Sequence, residues 1–382
     1  MTAWQIDRVR VEAMGVPGSA AGTFHFENFT SFALHNSMLA PSEASFELGD
    51  DTGYERLSEF LKLGARFRVF VNDRLRLTSR IEQHDGSLAA DRSMTESFTV
   101  RTKLTDAVAS SAPIGVRTQN VSIKQFLIAI YASVGVTADD FDFRGDVSRD
   151  LLTGVSSRGK RPPRPLDPLK EEEQKVQPPE SVFAAADRFL RRHGFLHWDG
   201  PDGRIVVAAP DDQQAPIYSL RCRRGPESQY NNVLEIERGQ DVGDAPTELG
   251  VFGTSKGKAN FASLPGAAVV RNQKLIDAGF IRRFAILDEA MSSGEFALRR
   301  ANRELAMKSR GLEKITVTLD GLSFRDGVDR VPWSPDTTAI VLAEVLGGAL
   351  GVYYVEDVMM VRNASDGDKT RLAVVPKGVW VL

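Results

Sequence analysis

Cysteine is almost absent from this chain: Cys222, set between Arg221 and Arg223, is the only one among 382 residues. A single thiol forms neither an internal disulfide nor a cysteine metal cluster, so the fold was not built for an oxidising compartment. No run of about 18 apolar residues occurs, which leaves no candidate membrane-spanning helix. The start, Met1-Thr2-Ala3-Trp4-Gln5, lacks the apolar segment of a secretory leader. Charge of one sign does not dominate either. The 48 basic and 51 acidic residues leave a net of −3, so no global basic field marks nucleic acid as the main ligand. A soluble chain made in a cytoplasm is expected.

Catalytic patterns are missing as well. The five histidines, at 25, 35, 84, 193 and 197, make no ligand set. His193 and His197 are four apart, but Gly194 breaks a helix between them and no glutamate stands where a zincin base would. Asp140-Phe141-Asp142-Phe143-Arg144-Gly145 opens like a calcium loop, yet Arg144 holds the fifth ligand position and Leu151 the bidentate one. Gly253-Thr254-Ser255-Lys256-Gly257-Lys258 is a residue short of a phosphate loop, and Ala259 replaces its hydroxyl. Gly347-Gly348-Ala349-Leu350-Gly351 precedes no helix, so it is a turn and no dinucleotide fingerprint. No nucleophile, cofactor site or metal site is expected, and the chain reads as a non-enzyme.

What is present is a β pattern with a repeat. Residues 1 to about 104 alternate as strands, in Gln5–Val11, Phe24–Phe26 and Arg66–Val71, with Asn72-Asp73 as turn chemistry. The segment Ser45-Phe46-Glu47-Leu48 matches Thr316-Val317-Thr318-Leu319 at an offset of 271, which also sets Val69 on Ile340. After a three-residue slip the offset is 274, placing Arg80-Ile81-Glu82 on Tyr354-Val355-Glu356 and Phe98 on Leu372. One β-unit at both ends of a chain is an architectural signal, and three such chains could close a ring of six barrels.

Between the two ends the period changes. Ser122-Ile123-Lys124-Gln125 is a capping box opening a helix over 122–134, stopped by Gly135. A second helix carries Val182, Phe183, Ala186, Phe189 and Leu190 on one face and ends at Gly194; the hairpin 195–207 follows it. Strands are expected at 232–237 and 248–253, and Ser292-Ser293-Gly294-Glu295 caps a helix ending at Gly311. Six prolines and two charge clusters make 155–179 an exposed linker or a docking arm.

One surface stands out. Alternation puts Arg66 and Arg68 on one face of a hairpin, with Arg74, Arg76 and Arg80 grouped likewise, opposite Phe67, Val69, Val71, Leu75 and Leu77. Arginine forks pair well with carboxylates across interfaces, so these five are the candidate subunit or partner contact.

The order of these pieces resembles the Mu-type baseplate hub of contractile phage tails, a family related to late-control tail proteins and the N-terminal part of secretion-system spikes. The likeness rests on Phe29-Thr30-Ser31 through Leu48, Gln119–Val136, Glu180–Leu196 with Gly203–Val207, Ala301-Asn302-Arg303-Glu304, and Trp333-Ser334-Pro335-Asp336. It implies a β-rich α+β fold: two related small barrels with α/β outer domains between them. The first barrel would be 1–104, completed by strands near 231–254. A mixed domain would span 105–230, return strands and a connector 231–292, and a helix plus the second barrel 293–382. The function implied is structural: a homotrimeric symmetry adaptor in the virion baseplate, joining a sixfold tail tube to a threefold spike among other baseplate proteins, with DNA crossing its lumen. A tail-tip cell-wall hydrolase or a carbohydrate-binding module is the alternative; Trp198 and Trp333 are the only candidates for an aromatic platform.

Overall fold

A computed structural model of the chain describes residues 7–17, 22–49, 60–88, 94–113, 122–145, 179–253, 267–288, 294–326, 329–344 and 349–380. The linker expected over 155–179 (its last residue apart) and the Ser292-Ser293 cap lie outside them.

The chain opens with seven strands: β1 (Val9–Ala13), β2 (Phe24–Phe26), β3 (Ser31–Ser37), β4 (Glu43–Leu48), β5 (Arg66–Val71), β6 (Arg74–Leu88) and β7 (Met94–Arg101). In β5 the alternation buries Phe67, Val69 and Val71 and exposes Arg66 and Arg68. Asn72 and Asp73 both take positive φ, 49° and 60°, the conformation of a tight hairpin turn that these residue types tolerate.

A mixed layer follows: α1 (Lys103–Ala109), α2 (Ile123–Tyr131), β8 (Phe141–Phe143), α3 (Val182–His193), β9 (Leu196–Asp199) and β10 (Ile205–Ala208). The Ser122 hydroxyl accepts from Gln125 N at 3.3 Å while Ser122 N donates to Gln125 Oε1 at 3.0 Å, so the capping box forms as its spacing requires. Phe126 and Phe189 meet with ring centroids 4.1 Å apart, holding α2 to α3 over the sheet β8-β10-β9.

Next come β11 (Tyr218–Cys222), β12 (Val233–Gly239), β13 (Glu248–Gly253), β14 (Ala267–Arg271), α4 (Gln273–Asp277), β15 (Arg283–Asp288) and α5 (Gly294–Ser309). The expected completion of the first barrel by strands near 231–254 is not observed. Instead β13 is the centre of a separate sheet, β14-β13-β15, whose Leu249 and Val251 pack against Ala297 and Ala301 of α5. β12 pairs with β16 (Lys314–Asp320), because its inward Val233 and Ile236 join the core of the second β-unit. That unit ends the chain with β17 (Ser323–Asp326), β18 (Asp329–Pro332), β19 (Thr337–Ala343), β20 (Ala349–Asn363) and β21 (Gly367–Pro376).

The two β-units are one structure used twice. Ser45 stands opposite Thr99 in β4–β7, and Thr316 opposite Ala373 in β16–β21, at the offsets of 271 and 274. Both long strands bulge at the same place, after Ile81 in β6 and after Val355 in β20. One register departs from expectation. Val69 is fully buried but Ile340 is 37% exposed, so these two are not equivalent. Phe67, Val69 and Val71 correspond instead to Ala339, Val341 and Ala343, one residue further on. A one-residue slip exchanges the faces of a strand, and burial decides which register is right. The cores are filled differently: Phe32, Phe46, Phe67 and Phe98 cluster in the first unit. Aliphatic residues take the matching places in the second, with Tyr218, Phe324 and Trp333 packed at tilted and edge-on angles beside them.

β3 of the first unit pairs with the second half of β20, which fuses both units into one 13-stranded sheet. The path β12-β16-β21-β20-β3-β4-β7-β6-β5-β1-β2 does not return on itself among the described residues, with β19 and β11 joining it beside β20. Among the described residues the units are therefore curled, open barrels with unpaired edges. No helix among the described residues is long and apolar enough to cross a membrane.

Candidate interaction surfaces

The five arginines singled out in the sequence separate into three environments. Arg66, Arg68 and Arg74 are exposed on the first unit, and Arg68 lies 4.0 Å from Glu12. Arg80 is tied down, donating to Asp106 and, at 3.4 Å, to Glu82. Arg76 is buried and donates to the carbonyl of Trp333, so it is no part of a contact face. The cause is a second bulge. Val69 faces Leu77 and Phe70 faces Leu75, which leaves Arg76 as the extra residue and rotates it out of the alternation. Leu75 is only half-buried for the same reason.

Buried carboxylates form joints: Asp7 ties the first unit to the second, Asp199 ties the mixed domain to the first unit, and Glu356 ties β20 to the C-terminal segment. Asp7, at the edge of the first unit, accepts from Ser323 Oγ and Leu322 N at 2.6 Å, Asn72 Nδ2 at 2.7 Å and Arg330 at 2.8 Å. Burial raises its pKa, but these hydrogen bonds and the Arg330 charge outweigh it and hold the carboxyl below its ordinary value. Asp199, on β9, accepts from Ser42 N and Thr102 Oγ1, both at 2.7 Å. There desolvation wins and lifts the carboxyl to about 7. Glu356 is lifted to about 7 by burial, against Arg310 at 3.0 Å and the Trp380 indole at 3.0 Å. His197 is 3% exposed, stacks on Phe183 at 4.3 Å, and burial lowers it to about 4. It is a core histidine.

A half-open cleft of about 240 Å³ lies where the mixed domain meets both β-units, with Arg76, Arg144, Asp199 and Asp336 on its wall. Its acids are engaged structurally: Asp336 accepts from Tyr354 Oη at 2.6 Å and faces Arg144 at 3.7 Å. No group of three or more potential metal ligands occurs among the described residues. Trp198 and Trp333 are 3% and 2% exposed, so neither forms a sugar-binding platform.

No family model and no curated protein matches the chain. Solved structures do. The tail protein from Neisseria meningitidis MC58 superposes with a TM-score of 0.72 at 18% identity, over 98% of this chain and 98% of that one. The 43 kDa tail protein of prophage MuSo2 from Shewanella oneidensis gives 0.71 at 16% identity, over 98% and 100%. The fold is that of phage tail proteins. The E. coli type VI secretion component c3393, described as structurally similar to the T4 tail proteins gp27 and gp5, gives 0.54 at 9% identity, over 97% and 78%. The chain has the expected β-rich α+β architecture, and its backbone follows these tail structures over nearly its whole length. At such identities the likeness concerns backbone architecture.

Two features escaped the sequence reading. The buried stitch at Asp7 sat in what read as ordinary strand alternation. The parallel pairings β8–β10, β11–β19 and β13–β15 join segments far apart in sequence, for which short strand patterns carry no pairing signal.

Proposed function

We propose that the protein is the baseplate hub of a contractile phage tail or a phage-like device. Three copies form a ring in which six related β-units meet a sixfold tail tube, while the mixed domains keep threefold symmetry toward a central spike. DNA crosses the lumen, and other baseplate proteins dock outside. The observation that supports this best is the doubled unit, with equivalent ladders and equivalent bulges at both ends of one chain. A cyclic trimer of such a chain offers six near-equivalent surfaces without six identical subunits. The role is structural rather than catalytic, a reading supported by the buried acids Asp7, Asp199 and Glu356, each of which is engaged by hydrogen bonds within the fold. Arg66, Arg68 and Arg74 remain the proposed contact. Native mass spectrometry and imaging without imposed symmetry test the reading: three copies per ring are expected, and monomers within intact tails would overturn it. Turnover of peptidoglycan, abolished by one carboxylate substitution, would overturn the structural role.

A further inference from the structure

The joint between the two units inside one chain is complete, but on the outer side it has no counterpart among the described residues. Inside the chain, β20 gives its first half to β19 and its second half, Asp357–Asn363, to β3. By the repeat, β6 corresponds to β20 at an offset of 274, so Gln83–Leu88 is the counterpart of that second half. One edge of Gln83–Leu88 is paired with β7. The other edge has no strand beside it among the described residues, since β5 reaches only to Arg80.

The partner of the missing joint exists as well. β3 pairs with β4 as β12 pairs with β16, which sets Ala33 on Glu237 and Phe32 on Ile236. β3 has strands on both sides, whereas β12 has β16 on one side and, among the described residues, no ladder on the other. Among the described residues one edge of β6 and one edge of β12 therefore remain open, and they are the repeat counterparts of two edges that pair with each other.

We propose that β12 of one copy pairs antiparallel with residues 83–88 of β6 in the next copy, repeating the β3–β20 ladder between chains. The register is fixed by the internal joint. Asp357 opposite Ser37 translates to Gln83 opposite Asp241, and Val361 opposite Ala33 translates to Ser87 opposite Glu237. Between them, His84 meets Gln240, Asp85 meets Gly239 and Gly86 meets Arg238. No pair sets like charges against each other, which cross-strand neighbours would penalise.

Two further features agree. In the internal joint Met38 N donates to the carbonyl of Glu356 at 3.1 Å; the translated donor is Val242 N, aimed at the carbonyl of Glu82. The residues around it, Asp241 and Asp244, are exposed acids. They arrive at the end of β5 that carries exposed Arg66, whose opposite number is Arg80, so unlike charges meet there. The contact is heterologous: each copy donates a strand on one side and accepts one on the other, which closes a ring and removes both open edges. It rests on the ring proposed above and names the surface that closes it.

The single native thiol makes the test clean. In a Cys222→Ser background, Ser87→Cys and Glu237→Cys place two cysteines directly opposite on one face, within the separation a disulfide spans. Mild oxidation should convert most of the assembled protein into a covalent ring, read on a non-reducing gel. The control pair Ser87→Cys with Ile236→Cys is out of register, points to opposite faces and should not cross-link. In the unsubstituted chain, hydrogen exchange at 83–88 and 235–242 should slow on assembly relative to the dilute monomer. Rings that form without this cross-link, and with unchanged exchange, would overturn the ladder and leave the trimer standing. Cross-linked rings of another copy number would overturn the trimer and support the ladder. A chain that is monomeric at every concentration would overturn both.

Discussion

Glu82 and Glu356, 274 positions apart, occupy the same β-bulge in the two halves of one chain. Their surroundings differ. The Glu82 side chain is 21% exposed and faces Arg101 at 3.7 Å. The Glu356 side chain is 2% exposed and is held by Arg310 and Trp380 at 3.0 Å. One backbone irregularity thus serves as a surface feature in the first unit and, in the second, as a buried joint to Trp380 and to Arg310, the residue that follows α5.

Glu356→Ala should therefore destabilise the protein by about 3 kcal/mol, since it strands Arg310 and the Trp380 indole. Glu82→Ala should cost below about 1 kcal/mol, as for other solvent-reached pairs. Urea unfolding of the two variants checks the difference; equal midpoints would deny the joint.

Asp7 makes the clearest acid-dependent contribution. Its carboxyl titrates below the ordinary 3.8 in the folded chain, so the unfolded chain binds the proton first. The stabilisation is full above about pH 4 and is lost as pH falls through the folded value. Asp7→Asn should flatten acid unfolding below pH 4 and, by weakening four hydrogen bonds at once, lower the melting temperature at pH 7.

Much of this architecture is legible in the sequence, for physical reasons that can be named. Ser122 and Gln125 announce a helix start because the capping geometry is local. Gly194, at φ 77°, ends α3 because a left-handed residue there favours glycine. The repeat is readable because β4 and β7 keep matched offsets with β16 and β21. What fails is the register of β5 against β19: apolar alternation looks the same after a slip of one, and only burial separates Val341 from Ile340. Arg76 fails for a related reason, because a bulge has no marker in an arginine-leucine alternation. The candidate contact is legible only as charge, not as the partner it meets.

His197 and Asp199, two residues apart on β9, should bend the stability curve in opposite directions. His197 is lowered to about 4 by burial, with Arg303 adding to the effect and Asp187 opposing it. Its contribution is present above about pH 6.5 and is lost as pH falls toward 4. Asp199 is raised to about 7 by desolvation, so it favours the fold at low pH and disfavours it as pH rises from about 4 to 7. His197→Phe should remove acid sensitivity in that window, and Asp199→Asn should remove the loss on the alkaline side. Each spans at most about 3 to 4 kcal/mol. Melting temperatures from pH 4 to 8 check both signs; parallel curves for the two variants would refute the assignment.

Gly203 fixes the mixed domain against the first unit. It takes φ +83°, and a Cβ there would lie 3.1 Å from the Thr78 side chain, whose hydroxyl donates to the carbonyl of Pro201 at 3.0 Å. Gly203→Val combines backbone strain with that clash and should cost about 1 to 3 kcal/mol. A thermal melt unchanged from the parent would show that this turn does not bear on the domain contact.

The arginine face supplies a test of assembly itself. The faces that correspond to Arg66 and Arg68 in the second unit carry Thr338 and Ile340, so only the first unit presents charge there. In the proposed ring this difference would let a neighbouring copy tell one unit from the other and would keep the ring from closing in the wrong order. Exposed charges act over roughly a Debye length, about 10 Å at 0.1 M salt, so their effect should fade as salt rises. Arg66→Glu with Arg68→Glu should weaken assembly about tenfold at low salt and much less at 0.5 M, read by sedimentation across a concentration series. Adding Asp241→Arg and Asp244→Arg restores the opposition of charges with reversed signs and should recover most of the loss. Recovery would tie the arginine face to the strand end that carries those acids. If the reversed arginines assemble normally at low salt, the face is not a subunit contact. If they fail and the second pair does not rescue them, the contact partner lies elsewhere on the chain.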